Sequence, residues 1–326
     1  MRYVVTGATG CLGLNLTRRL VQEGHEVIAI GRNKQLGHIL TGMGATFHAL
    51  DLHERARLAT TVRRADVIFH CAAFSSPWGK YKDFYQANVV GTQHVIAVTP
   101  PGRRLVHVST PSIYFDFIEK HDVKEDAVLP LRPANHYIKT KLLAESLVDK
   151  AWQENKLNVI TVRPRAIFGP YDRAILPRLL NAEKHGILPI VGTGDNVIDI
   201  TYVDNVVDSL ILAAQAKEQF CGKKYNITND EPRSLISILS ALYAALQRPL
   251  NVKCVPYSLA KSMAYILEKL HRLFLLKSEP RLTQYSAAVL ALGQTLNIEA
   301  AKNDLGYRPK ITLDEGMQLF AQWYQS

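Results

Sequence analysis

The sequence predicts an α/β fold, a doubly wound parallel sheet with a small, mostly helical C-terminal cap. Three observations predict it. Short apolar segments alternate with helix-length segments as far as residue 165. Those segments are continuous apolar runs rather than in/out alternations, as strands covered on both faces are. The first of them runs directly into three evenly spaced glycines, Gly7, Gly10 and Gly13, and then into a helix.

The elements follow in order. Residues 2–6 (RYVVT) are short, apolar and β-branched, and read as a buried strand. Residues 14–23 read as a helix closed by Gly24, a residue suited to the left-handed position after a helix. EVIAIGR, Thr46 to Leu50, and ADVIFHCAA from Ala65 give the next three strands. A helix follows over FYQANVVGTQHVIAV, then the strand RLVHVST, a helix carrying HYIKTK, and the strand NVITVRP. After Pro164 the rhythm breaks, and residues 170–200 are richer in Pro, Gly and polar residues. ITYVDNVVDSLILAA then suggests a strand edge and a helix, and KKYNIT a short strand. Residues 234–247, 258–275 and 313–324 look helical. The expected division is a Rossmann-type dinucleotide-binding domain over 1–165 and a substrate-binding region over 166–326, with the strand and helix of 198–228 returning to the sheet.

Composition bounds the function. The 326 residues include 47% apolar and 21% charged, ordinary values for a soluble globular chain. The four cysteines, Cys11, Cys71, Cys221 and Cys254, show neither CxxC nor zinc spacing, so no metal is expected and a reduced, cytoplasmic protein is. No signal peptide is expected, and no apolar run approaches the roughly 18 residues that span a bilayer. The net charge of +10 favours anionic partners, but the basic residues are scattered without aromatic interleaving, which argues against nucleic acid. Residues 257–281 are apolar with spaced basic residues. That pattern suits a helix on a membrane surface. Core helices share it, so a cap helix packed on its own domain is the preferred expectation.

VVTGATGCLG has the physical parts of a pyrophosphate site. Gly7 permits a tight turn, Gly10 lets the backbone approach the ligand, and Gly13 lets the helix pack on the sheet. The N–H groups of Thr9 to Gly13 then face the phosphates at a helix N-terminus: Thr9, Gly10, Cys11, Leu12 and Gly13. At the end of the second strand no carboxylate awaits the ribose; Arg32 stands there, with Lys34 nearby. A guanidinium can take a 2′-phosphate bidentately, so NADP(H) is expected over NAD(H). Asp51 and Leu52 are placed to meet the adenine, and Ala72 and Ala73 to let a cofactor pass close to the backbone.

In HYIKTK, a helix turning about 100° per residue puts Lys141, four residues on, on the face of Tyr137, and Lys139 on the far side. An unassisted tyrosine has a pKa of about 10 and is a poor base, so a nearby ammonium is expected to favour its phenolate. Tyr137 would then exchange a proton with a carbonyl or alcohol oxygen as hydride moves. One of three hydroxyls ending the fifth strand, Ser109, Thr110 or Ser112, is expected to hold the same oxygen; the residue types alone do not choose among them.

TGATGCLG, HCAA, ANVVGT, VSTPSIY, YIKTK and RPRAIFGP, in this order, resemble the extended short-chain dehydrogenase/reductases over nearly the whole chain. FSSPWGKYKDFYQANVVGT and ITYVDNVVD are most similar to the 3-beta-hydroxysteroid dehydrogenase-like group, which includes bacterial 2-alkyl-3-keto acid reductases. The resemblance implies that Thr110 is the catalytic hydroxyl, Tyr137 the acid/base, and Lys141 a ligand of the nicotinamide ribose as well. It implies Pro164 beside the nicotinamide, Asn88 as a structural asparagine, and a homodimer formed through the helices after the fourth and fifth strands. The expected activity is NADP(H)-dependent interconversion of a ketone and a secondary alcohol on an apolar substrate, a 3-keto acid or sterol-like body. Arg165, Arg173 and Arg178 are candidate carboxylate anchors, Arg165 first. Two other readings remain: a sugar-nucleotide epimerase or dehydratase holding NAD tightly, and a non-catalytic NADPH sensor.

Overall fold

Seven strands build the central sheet: β1 (Arg2–Thr6), β2 (Glu26–Gly31), β3 (Thr46–Ala49), β4 (Val67–His70), β5 (Arg104–Val108), β6 (Asn158–Pro164) and β7 (Lys224–Ile227). In this computed structural model they lie in the order β7-β6-β5-β4-β1-β2-β3. Every pairing among them is parallel. The structure describes residues 1–155, 157–274, 276 and 278–326. The continuous apolar runs have their explanation in the two cores. Tyr3 and Val5 enter one with Leu16, Leu20 and Val206, while Val4 enters the other with Leu58, Val95 and Val148. Successive side chains point to opposite faces, and here both faces are buried.

The helices that matter for the site are α1 (Cys11–Gln22), α2 (His136–Gln153), α3 (Val203–Gln215), α4 (Tyr257–Leu273) and α5 (Gln284–Ala291). The first begins three residues earlier than the periodicity suggests, because Gly10 offers no side-chain cap to mark it. The second is capped by Asn135, whose side chain accepts from the Ile138 N–H at 2.9 Å. The expected helix over 84–98 is interrupted by a wider π-helical turn, Tyr85–Val90, with regular helix on either side.

The strand edge expected before α3 is only Thr201–Tyr202, and it pairs with Ile167–Phe168 outside the seven-stranded sheet. The strand that does extend the sheet is β7, which pairs with β6. A separate four-stranded sheet joins Lys120–Val123, Val197–Ile198, Arg233–Ser234 and Gln294–Leu296. The helix expected over 258–275 is α4; Leu275 lies outside the described residues. Its Ala260 packs with Ala287 of α5, and Ala264 and Glu268 are also buried. Its larger apolar residues are on the other side, exposed.

Candidate cofactor and active site

The phosphate loop has the geometry that the glycines demand. Gly7 adopts φ +69°, and a Cβ there would lie 2.6 Å from the Ala72 backbone nitrogen. A Cβ on Gly13 would lie 2.3 Å from the Gly7 carbonyl oxygen. Gly10 caps α1 without a side chain, and the Gly10 carbonyl accepts from Leu14 N–H at 2.9 Å. The N–H groups of the first turn are therefore at a helix N-terminus with no side-chain competitor. This cradle, which a Cβ would fill, fits a dinucleotide pyrophosphate. Thr9 packs over Gly31, where a Cβ would come within 2.7 Å of the threonine side chain. Asn15 Nδ2 donates to the Pro170 carbonyl at 2.9 Å, and Cys11 Sγ lies 3.5 Å from the same oxygen. These contacts join α1 to the segment after β6.

Arg32 follows the last residue of β2, and its side chain is 77% exposed. Its nearest acid is Asp51, 3.7 Å away. Asp51 Oδ1 accepts from the His53 N–H, and the Leu52 carbonyl lies 2.9 Å from His94 Nδ1. Ala72 and Ala73 follow β4 against the glycine turn, and Pro164 ends β6.

Tyr137 lies in the first turn of α2, at the C-terminal end of the sheet. Burial pushes its phenol up to about 12, and hydrogen bonds with Thr110 and Ser75 pull the other way. Thr110 Oγ1 also donates to Ser112 Oγ at 3.1 Å, and Ser112 bonds Tyr285 of α5. Ser109 sits instead by Glu145. Of the three hydroxyls, Thr110 is thus the one that meets Tyr137.

Lys141 is buried and shares the helix face of Tyr137, yet its Nζ donates to the Val108 carbonyl at 2.7 Å. Burial holds its ammonium down to about 8, with Glu145 and Cys71 opposing. The groups that hydrogen-bond the Tyr137 phenol here are two hydroxyls, those of Thr110 and Ser75. Asn88 ties the parts together. Its Oδ1 accepts from Phe74 N–H at 2.7 Å, and its Nδ2 donates to Phe74 O at 3.1 Å and to Thr140 Oγ1 at 3.0 Å. The loop bearing Ser75 is thereby fixed to the helix bearing Tyr137.

The three candidate arginines separate. Arg178 is exposed and pairs with Glu279 at 3.0 Å, and Arg173 is exposed. Arg165 is 7% exposed, and its Nε has no hydrogen-bond partner among the described residues. Burial lowers its pKa, with Tyr285 and Asp199 the electrostatic neighbours that oppose the shift. Asp199 does not form a contact ion pair with it, and its Oδ2 is committed to the Leu296 N–H at 2.7 Å. Next to it, Ala166 takes φ +43°, a left-handed conformation that costs a non-glycine residue on the order of 1–3 kcal/mol.

Residues 3–228 match the NAD dependent epimerase/dehydratase family. The chain belongs to that family. A nicotinamide dinucleotide is accordingly its cofactor. One relative is the 2-alkyl-3-oxoalkanoate reductase of Stenotrophomonas maltophilia, 34% identical over 98% of this chain and 98% of that protein. Another is the sterol-4-alpha-carboxylate 3-dehydrogenase, decarboxylating, of Mus musculus, 30% identical over 98% of this chain and 90% of that one. Among solved structures, the UDP-glucuronic acid 4-epimerase of Bacillus cereus in complex with NAD aligns with a TM-score of 0.78, covering 100% of this chain and 99% of that one at 22% identity. That last likeness establishes the fold, and the relatives place the chain among oxidoreductases of keto and hydroxyl groups.

Within this family member, the sequence left three site residues unmarked. Ser75 follows β4 in FSSP, where a serine is an ordinary turn former. Tyr285 comes from a helix far along the chain. Asp199 is visible only as a polar residue in a short apolar stretch. The one available signal was the Ser75 hydroxyl, two residues past the alanines of HCAA.

Proposed function

We propose that the chain is an NADP(H)-dependent reductase of 3-oxo acids bearing large apolar substituents, working also in the reverse sense on the matching 3-hydroxy acids. The observation that carries this reading is the hydrogen-bonded pair of Tyr137 and Thr110, with Tyr285 the electrostatic neighbour it shares with a buried Arg165 whose Nε has no partner among the described residues. Both relatives' names describe a carboxylate one carbon removed from the reacting carbon. A buried guanidinium with no hydrogen-bond partner for its Nε among the described residues fits that carboxylate, since desolvating a charge is expensive until a partner meets it.

When bound, the nicotinamide supplies the hydride for reduction. Tyr137 Oη gives its proton to the carbonyl oxygen, and Thr110 Oγ1 holds the same oxygen. A phenol held near 12 is protonated at neutral pH, as reduction requires. The hydroxyl series Tyr137, Thr110, Ser112, Tyr285 offers a path for the replacement proton. Lys141, fixed by the Val108 carbonyl, would hold the nicotinamide ribose. Arg32 would take the 2′-phosphate from solvent, displacing the weak contact to Asp51.

The test is NADPH oxidation with a panel of 2-alkyl-3-oxo acids and neutral ketones. Tyr137→Phe is expected to lower kcat by about 10²- to 10⁴-fold with NADPH affinity retained. Turnover unaffected by that change would remove the mechanism. Protein purified with tightly held NAD, and no net NADPH use on any ketone, would favour the epimerase reading.

A further inference from the structure

The outward face of α4 presents Leu259, Met263, Ile266, Leu270 and Leu273, spaced by four, three, four and three residues. At about 100° per residue they form one stripe. Each is between 42% and 73% exposed. The opposite face, Ala260, Ala264 and Glu268, is the one buried against the protein. A packed cap helix normally turns its large apolar residues inward; here small residues face in and large ones face out. Lys269 is exposed beside the stripe and Lys261 farther round the helix, while Arg272 meets Glu268 at 3.8 Å. The helix's one acid, Glu268, is turned inward, accepting from the Gln284 N–H at 2.8 Å and Nε2 at 2.9 Å.

We propose that α4 lies on an anionic lipid bilayer surface, with its stripe in the headgroup–acyl boundary and its cations against the headgroups. The charge pattern selects this occupant over a second copy of the chain. Two copies meeting along this stripe would bring exposed lysines together with no exposed acid on either helix to pair them. A bilayer bearing anionic lipid pairs them all. The helix lies on the surface and does not span it: no described helix is long and apolar enough to cross a membrane.

The placement has a functional consequence. Ala260 of α4 packs with Ala287 of α5, the helix that carries Tyr285. Farther along α4, Arg272 lies over the Trp78 ring, 5.4 Å from its centroid, and Trp78 follows the loop of Ser75. The docked surface thus packs on two of the elements that carry active-site residues.

The experiment is co-sedimentation of the full chain with vesicles of phosphatidylcholine, with or without phosphatidylglycerol. It uses no substrate, so it stands or falls separately from the proposed reaction. Binding is expected only where phosphatidylglycerol is present, and is expected to weaken with salt. Lys261→Glu with Lys269→Glu should lower partitioning more than about tenfold. Ile266→Glu with Leu270→Glu should abolish it, with NADPH binding intact as the check on folding. No sedimentation with either vesicle would overturn the proposal, as would binding indifferent to Ile266→Glu with Leu270→Glu. So would a dimer in sedimentation velocity that the same pair of changes dissociates, since the stripe would then belong to a second copy.

Discussion

Arg32 and Arg165 stand at equivalent places, each one residue beyond a strand of the same sheet, in opposite surroundings. Arg32 is in water, with a loose contact to Asp51 at 3.7 Å. Arg165 is buried beside Asp199 and Tyr285, with its Nε unpaired. An exposed pair such as the first is worth about 0–1 kcal/mol, so a phosphate can replace it at little expense to the fold. A buried cation without a partner is a standing penalty until a ligand meets it. On the proposed reading the cofactor end would select by adding charge to an open surface, and the substrate end by completing a deficit built into the protein. Arg163, two residues before Arg165, is the control. It is as buried, but it meets Glu145 bidentately at 3.0 and 2.6 Å.

The largest effect expected from breaking this comparison is at that control. Glu145→Gln leaves Arg163 buried and uncompensated and should cost about 3–5 kcal/mol of stability, read as a lower denaturation midpoint. A loss of under 1 kcal/mol would mean that water reaches this pair, and the contrast with Arg165 would lose its basis.

Arg165→Met should do the opposite to the fold. Replacing an unpaired buried charge by an apolar chain of similar length is expected to raise Tm by a few degrees. The same change should raise KM for a 3-oxo acid by about 10²-fold, the scale of a desolvated charge-assisted contact, and leave a neutral ketone unaffected. Equal losses on both substrates would assign Arg165 a positioning role and leave the carboxylate without its anchor.

How much of this was legible in the sequence follows the range of the interactions. The inner sheet strands were visible because burial on both faces makes them nearly continuous apolar runs, as in Val67–His70, while the edge strand Thr46–Ala49 is only partly buried. The glycine turn was visible because a backbone requirement at Gly7 and Gly13 permits no other residue. The two-residue strand Val197–Ile198 was not, and the edge at Thr201–Tyr202 was visible without its partner, since such pairing is decided by distant segments. Helical spacing placed Lys141 on the face of Tyr137 but could not say where a four-carbon side chain ends, and it ends at the Val108 carbonyl. Ser75 and Tyr285 reach the site through tertiary packing alone. For α4 the amphipathic pattern was legible without its direction; the buried Ala260 and Ala264 reveal that the large apolar side faces out.

The smallest effect is at the exposed arginine, and it sharpens the comparison by being confined to one ligand. Arg32→Ala should leave Tm within a degree or so, because an exposed contact at 3.7 Å holds little of the fold. It should weaken NADPH binding by about tenfold, one charge-assisted phosphate contact at a solvent-facing site, while the NADH constant stays within twofold, roughly. Isothermal titration with both cofactors on both proteins reads the four constants. If NADPH and NADH weaken together, Arg32 is steering the whole dinucleotide by its charge. If neither moves, the 2′-phosphate is met elsewhere, with Lys34 the next cation along the chain, and the difference between the two ends of the site would then rest on Arg165 alone.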